Sequence, residues 1–296
     1  MPRALRRSAA GSGDRELSSV PANPSQVSSI ALAQIDFLSG DPNFMTSLAR
    51  GLAVVQAFSS RKRQMTMSQL SSRTGFSRAA VRRCLYTLMK LGFAGTDDSH
   101  HFYLCPRILS LGHSYISSMP LSSAVQPVLK QMSHQLLESC SIATLDGVEV
   151  IFVARTRARA TRTMSIDIRV GSRLPAFCTA MGRVLLANLP AEEQKSCIAH
   201  VQFSHYTDRT VRNAVKLREI LRLVRREGFC MLDQELEVGV RAMAVPIHHP
   251  AGGVAAALNV AALAQRVSVE EMQKRFLERL RDTAQELSRL IEMSSV

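Results

Sequence analysis

Residues 65–106, MTMSQLSSRTGFSRAAVRRCLYTLMKLGFAGTDDSHHFYLCP, restrict the fold more than any other stretch of the chain. The run MTMSQLSSRTG reads as a short helix that Gly75 ends. After the turn Thr74-Gly75-Phe76, Ser77 is placed to cap a second helix reaching about Leu91, where Gly92 stops it. A Gly/Asp/Ser tip between alternating aromatic and aliphatic residues then reads as a small hairpin. Helix, glycine-containing turn, basic helix and polar-tipped hairpin form the order of a winged helix-turn-helix.

Spacing on the second helix separates two faces. Val81, Leu85 and Leu88 share one with Ala80 and Cys84, while Arg78, Arg82, Tyr86 and Lys90 recur every fourth residue on another, with Arg83 beside them. Such a basic stripe alone is equally a solvated surface. The order of elements favours DNA. In that geometry the start of the second helix enters the major groove, so Ser77, Arg78, Arg82 and Arg83 fall nearest base edges and phosphates. Gln69 and Ser71 of the first helix, with the cluster Arg61, Lys62 and Arg63, are expected to meet the sugar-phosphate backbone, and His100 and His101 at the wing tip to be hydrated.

Charge supports an anionic partner. The chain carries a formal net charge of +13, and between Phe44 and Ser110 ten Lys/Arg stand against only Asp97 and Asp98. An excess of this size points to nucleic acid or, less often, a membrane surface. No apolar run approaches the ~18 residues of a spanning helix, and the basic start MPRALRR leads into Ser, Gly and Asp, so a soluble cytoplasmic protein is expected. The six cysteines lie far apart without a C-x-x-C pair, which argues against a disulfide framework.

The flanking stretches suggest four parts. Residues 1–43, rich in Ser, Ala and Pro, are expected to be a flexible tail, although IALAQIDFL could pack against something. The DNA-binding domain spans 44–105 and opens with SLARGLAVVQAF, in which Leu48, Leu52, Val55 and Phe58 form one apolar face. RILSLGHSYISS reads as a helix broken by Pro120, giving a linker at 106–120. From 121 to 296 helices alternate with strands: SIATLDGVEVIFVAR turns at Asp146-Gly147, a second hairpin turns at Pro250–Gly253, and Ser268-Val-Glu-Glu is a capping box opening a last helix to about Glu292. The fold class expected is α+β.

Three constellations invite enzyme or metal readings. Cys178 near a helix start could have a lowered pKa, but no histidine motif accompanies it, and core packing is the plainer role. Asp233, Glu235 and Glu237 alternate as paired carboxylates on a strand would, or as salt-bridging residues. Cys197, His200 and His205 are zinc-type ligands without a fourth partner or a strong spacing. Neither a phosphate loop nor a dinucleotide fingerprint occurs, so no cofactor is expected. An enzyme acting on a small molecule, with the basic half as an anchor, stays as the alternative.

FMTSLARGLAVVQAF, RTGFSRAAVRRCLYTLMKLGF and LCPRILSLGHSY, followed by LDGVEVIFVAR, GSRLPAFCTAMGRVLLA and DQELEVGVRAMAVPI, together resemble IclR-type transcription regulators. Within them they are similar to the branch controlling protocatechuate and 4-hydroxybenzoate catabolism, the PcaR, PcaU and PobR types. The resemblance covers Phe44 to the C-terminus. It implies a GAF-like effector domain, promoter DNA as partner, assembly as a homodimer or dimer of dimers, and a small aromatic or dicarboxylic acid as effector, such as protocatechuate, 4-hydroxybenzoate or β-ketoadipate. The helix expected from near Thr179 would offer the free amides of Ala180 and Met181 to a carboxylate. By resemblance these, with Asp233 and Asn259, correspond to effector-contacting positions, and Asn259 stands where other branches carry a small hydroxyl residue. Phe177, Met243 and Leu258 could wall the pocket.

Overall fold

The computed structural model describes residues 35, 37–38, 40–59, 62–118, 125–157 and 168–294. Arg61 of the basic cluster and most of the expected tail lie outside them. Within that tail Ile35, Phe37 and Leu38 are helical and Ile35 is buried. The chain divides into two compact units. One comprises the described residues up to Thr87 with Thr96–Tyr103; the other comprises Leu88–Gly95 and the chain from Leu104 onward.

The N-terminal elements follow their local signals: α1 (Thr46–Gln56), β1 (Gln64–Met65), α2 (Met67–Thr74), α3 (Arg78–Lys90), β2 (Ala94–Thr96) and β3 (Phe102–Leu104), with strand order β1-β3-β2. Thr66 and Gln69 form a capping box at the start of α2, and Gly75 closes it at φ 74°, a conformation that favours glycine. Ser77 Oγ accepts from Ala80 N at 3.3 Å to start α3, and Gly92 at φ 75° ends it. Val54, Ala57, Met65, Leu70, Phe76, Val81, Leu85 and Phe102 are buried. One expectation fails. Leu48 and Leu52 of α1 are 58% and 50% exposed, and Ala53, Val54 and Ala57 are buried instead. Apolar residues lie on both sides of this helix, so spacing alone could not say which side packs.

A 3-10 turn (Pro106–Ile108) leads into α4 (Leu109–Ser118), the expected linker, on which Leu109, Leu111 and Tyr115 are exposed. The larger unit is built on a six-stranded antiparallel sheet of order β6-β5-β4-β9-β8-β7. Its strands are β4 (Ser139–Asp146), β5 (Glu149–Thr156), β6 (Arg173–Pro175), β7 (Cys230–Asp233), β8 (Val240–His248) and β9 (Val254–Leu263). Asp146 pairs Glu149, so the first hairpin turns at residues 147–148, one position later than expected, with Gly147 at φ 60°.

Two cores sandwich this sheet. On one face α5 (Val125–Leu136) and the C-terminal helix pack against Ile142, Met243, Val245, Leu258 and Val260. That helix runs as α9 (Val269–Glu271), a π-helical turn Met272–Phe276 and α10 (Leu277–Ser294); Ser268 caps it through Glu271 N at 3.0 Å. On the other face α6 (Ala180–Asn188) and α8 (Ala214–Glu227) pack against Ala143, Phe152, Leu232, Ala244 and Ala257, with α7 (Ala191–Ala199) beyond. Among the described residues no helix is long and apolar enough to cross a membrane.

Candidate functional site

Each unit presents one arrangement with chemical potential. On α3, burial of Val81 and Leu85 fixes the helix, each worth about 1.5–3 kcal/mol of transfer free energy. Ser77, Arg78, Arg82 and Arg83 are left exposed on the other side. The guanidinium groups of Arg78, Arg82 and Arg83 have no ion pair or hydrogen bond among the described residues. Cations held at fixed spacing and neutralised by nothing suit phosphate and base-edge contacts.

The first helix contributes less than expected. Gln69 is exposed, but its Oε1 accepts from Thr66 N at 2.9 Å, so the amide serves the cap and only its NH₂ end faces outward. Ser71 Oγ donates to the Phe76 carbonyl at 2.6 Å, which braces the turn and occupies the hydroxyl. At the wing tip Asp97 Oδ1 accepts from Ser99 N and His101 N at 3.0 and 2.8 Å, and His101 Nδ1 lies 3.5 Å from Oδ2. The backbone donor of His101 leads the effects that hold the Asp97 carboxyl below its usual range.

In the larger unit α6 starts against a 3-10 turn, Ala176–Cys178. Thr179 caps the helix by accepting from Gly182 N at 3.2 Å, and Arg183 N bonds the Thr179 carbonyl. That leaves the N–H groups of Ala180 and Met181, both buried, with no acceptor among the described residues. Two orphan donors at the positive end of a helix accommodate a carboxylate. Gly182 permits this geometry, because a Cβ there would overlap the backbone of Ala176.

Strand parity decides which other residues share this layer. Asn259 pairs with Ser141 on β4 and Ala244 on β8, and Ala244 belongs to the core on the α6 face. Asn259 therefore faces the α6 layer. It is 5% exposed, and its side-chain amide has no hydrogen-bond partner among the described residues. Beside it, Arg155 Nη1 donates to Ser141 Oγ at 3.1 Å. Phe177 stacks edge-on with Phe203, centroids 5.2 Å apart, and Tyr206 lies 6.4 Å from the same ring. Met243 and Leu258 belong to the opposite core and cannot wall this site, since each is one residue out of phase with the α6 face.

Asp233 is also displaced. Its β7 neighbours Cys230 and Leu232 face α6, so Asp233 points to the other side, paired with Arg241. Arg241 Nε donates to Oδ1 at 2.6 Å, Gln234 Nε2 at 3.2 Å, and Arg209 Nη1 bonds Oδ2. The structure thus groups Ala180, Met181 and Asn259 on one face and separates Asp233 from them. Nor do Asp233, Glu235 and Glu237 alternate on a strand, because β7 ends at Asp233 and a loop follows.

A buried ion pair went unforeseen. Arg183, with a side chain only 2% exposed, makes a bidentate pair with Glu235 at 2.7 and 2.6 Å, and its Nε donates to the Phe177 carbonyl at 2.8 Å. Burial opposes the guanidinium charge, but Glu235 overrides it and the pKa rises. Thr207 and Thr210 hydroxyls donate to the Glu235 carbonyl at 3.2 and 2.7 Å, tying a third segment to the same loop. One signal was available: a lone arginine inside the apolar run AMGRVLLAN must find a partner if buried.

The remaining candidates have structural duties. Cys178 is fully buried, which pushes its thiol pKa far up and overrides any lowering by the adjacent helix start. Cys197 Sγ donates to the Gly147 carbonyl at 3.0 Å, His200 Nδ1 contacts Ser196 O at 2.8 Å, and His205 lies 3.5 Å from Asp208. Among the described residues no group of three such side chains could hold a metal.

The family profile "Bacterial transcriptional regulator IclR C-terminal" matches residues 113–289, and "IclR helix-turn-helix domain" matches 47–98. The chain is 48% identical over 244 residues to the Pca regulon regulatory protein of Pseudomonas putida, covering 82% of this chain and 83% of that protein. A transcriptional regulator from Rhodococcus sp. RHA1 superposes with a TM-score of 0.73 at 40% identity, covering 84% of this chain and 99% of that one. The inducer-binding domain of PobR from Acinetobacter, a double mutant solved with 3-hydroxybenzoic acid, matches at TM-score 0.52 and 34% identity over 55% of this chain and 94% of that one.

Proposed function

The chain belongs to the IclR family of transcription regulators, and we propose that it is a ligand-responsive regulator of aromatic-acid catabolic genes. It binds promoter DNA through α3 and a small aromatic or dicarboxylic acid in the larger unit. The observation that carries the second half is the pair of unpaired, buried amides at Ala180 and Met181, on the same sheet face as the unpartnered Asn259. The amides take the carboxylate. Asn259, able to donate and accept, takes a ring hydroxyl or a second carboxyl, and Phe177 supplies apolar contact. Asp233 is not part of this pocket.

The pca- and pob-type names of its relatives support an effector from aromatic-acid catabolism, and 4-hydroxybenzoate, protocatechuate and β-ketoadipate are the candidates. Regulation without turnover is supported by the deep burial of Cys178, which keeps its thiol protonated. The exposed Leu109, Leu111 and Tyr115 of α4 support a subunit contact in a homodimer or dimer of dimers, and promoter binding implies a cytoplasmic protein. Ligand binding shifts the population of DNA-competent arrangements.

Calorimetric titration of the full chain with these three acids tests the pocket. At least one is expected to bind, and Asn259→Ala to weaken it about tenfold, the value of one neutral hydrogen bond, while operator affinity stays unchanged. Intact DNA binding with no heat from any of the three acids would remove the effector assignment.

A further inference from the structure

The helix α8 turns Leu217, Leu221 and Val224 inward and leaves a strongly basic outer face. Residues 212–227 hold six Lys/Arg against two Glu, and all six cations are exposed. Both acids are engaged, Glu219 by Lys216 at 3.1 Å and Glu227 by Arg226 at 2.9 Å. Arg225 Nη1 reaches the Leu189 carbonyl at 3.5 Å. Arg212, Arg218 and Arg222 are left with no ion pair or hydrogen bond among the described residues. Arg218, Arg222 and Arg226 recur every fourth residue, about 6 Å apart along the axis at 1.5 Å per residue. Like charges at this spacing destabilise a helix, and of the three only Arg226 has an acidic partner among the described residues, Glu227.

We propose that this ridge is a second DNA contact, gripping phosphates of the duplex that flanks the site occupied by α3. The inference rests on the reading of α3 as the operator-binding helix. Guanidinium groups in a row match a polyanion, whose phosphates they bind in bidentate fashion. Protein interfaces, by contrast, centre on aromatic or apolar anchors and exclude charge from their core. The ridge has no aromatic residue, and its exposed aliphatics are Val215 at one end and Leu223 to the side.

The test uses the full chain with the substitutions Arg218→Gln and Arg222→Gln combined; both positions are exposed, and glutamine sustains a helix. Two duplexes are compared, the footprinted promoter core and the same core extended by about two helical turns on each side. The double variant is expected to match wild type on the core and to lose the tighter binding that wild type gains from the extension. On the long duplex its log–log salt slope should be shallower by about two per protomer, so that going from about 50 to about 200 mM salt costs wild type about tenfold more for each protomer bound. Equal slopes and equal length dependence would overturn the proposal. So would unchanged binding to both duplexes with loss of transcriptional regulation in a reconstituted system, which would assign the ridge to an acidic protein. Arg82→Ala separates the two readings: if it binds both duplexes like wild type, the assignment of α3 fails, not that of α8.

Discussion

Arg183 shows how a single side chain can position a site that it does not enter. Its Nε fixes the Phe177 carbonyl and its two NH₂ groups fix Glu235, so the turn before α6 and the loop after β7 are referenced to one guanidinium. A buried pair of this kind contributes little net stability, but breaking it leaves a stranded charge. Glu235→Ala is therefore expected to lower unfolding free energy by about 3–5 kcal/mol, seen as a reduced urea midpoint at unchanged m-value. Replacing Arg183 and Glu235 together by Met and Leu should restore much of it; a Glu235→Ala midpoint equal to wild type would show the pair to be irrelevant. At Asp233, partial burial pushes the carboxyl pKa up, but hydrogen bonds from Arg241 and Gln234 and the charges of Arg241 and Arg209 hold it below the usual range. The folded state then binds that proton less well than the unfolded chain. Its contribution is complete above the ordinary carboxylate value of about 3.9 and is lost as pH falls through the lowered one. Asp233→Asn should flatten the acid limb of the stability curve, and parallel limbs for variant and wild type would refute the linkage.

At the scale of elements, α3 carries the DNA assignment. Arg82 is exposed and its guanidinium makes no ion pair or hydrogen bond among the described residues, so Arg82→Ala is expected to leave thermal stability within about 0.5 kcal/mol while reducing operator affinity and lowering the salt slope by about one per protomer. Unchanged affinity at fixed salt in a mobility-shift titration would take Arg82 off the reading surface. This helix was legible because its signals are local: a hydroxyl cap, a left-handed glycine at each end and an apolar stripe on one side only. The first helix was misread on its packing side, with Leu48 and Leu52 exposed, because apolar residues occur all round it. In the larger unit the hairpins and the start of α6 could be found from turn and capping residues. The face occupied by Asp233 could not, because in the run CMLD three apolar residues precede it and hide the alternation, which only the pairing with Arg241 in the sheet reveals. The pairing of Arg183 with Glu235 spans 52 positions, and no spacing rule reaches that far.

At the scale of the molecule, ligand and DNA are expected to act on separate transitions. An acid bound by the α6 face at a hundred times its Kd adds about 2.7 kcal/mol to the unfolding free energy of the unit that holds it. Calorimetric scans with and without 4-hydroxybenzoate should show a raised transition for that unit, and Asn259→Ala, if it weakens binding about tenfold, should reduce the rise to about half at the same concentration. An identical scan for wild type in the presence of saturating acid would contradict the assigned pocket. The net charge of +13 makes every DNA affinity strongly dependent on ionic strength, so comparisons between variants hold only at one salt concentration.

The separation of duties on α3 bears on how such a regulator acquires new promoters. Val81 and Leu85 hold the helix, Ser77 starts it, and the guanidinium groups of Arg78, Arg82 and Arg83 make no ion pair or hydrogen bond among the described residues. Substitutions at those three arginines are therefore expected to be tolerated by the scaffold and to show their effect in DNA binding. A gene duplicate can drift to a different operator through a handful of codons, with the effector pocket carried along intact. The same economy makes these positions the natural ones to randomise when the protein is retargeted as a sensor for its acid.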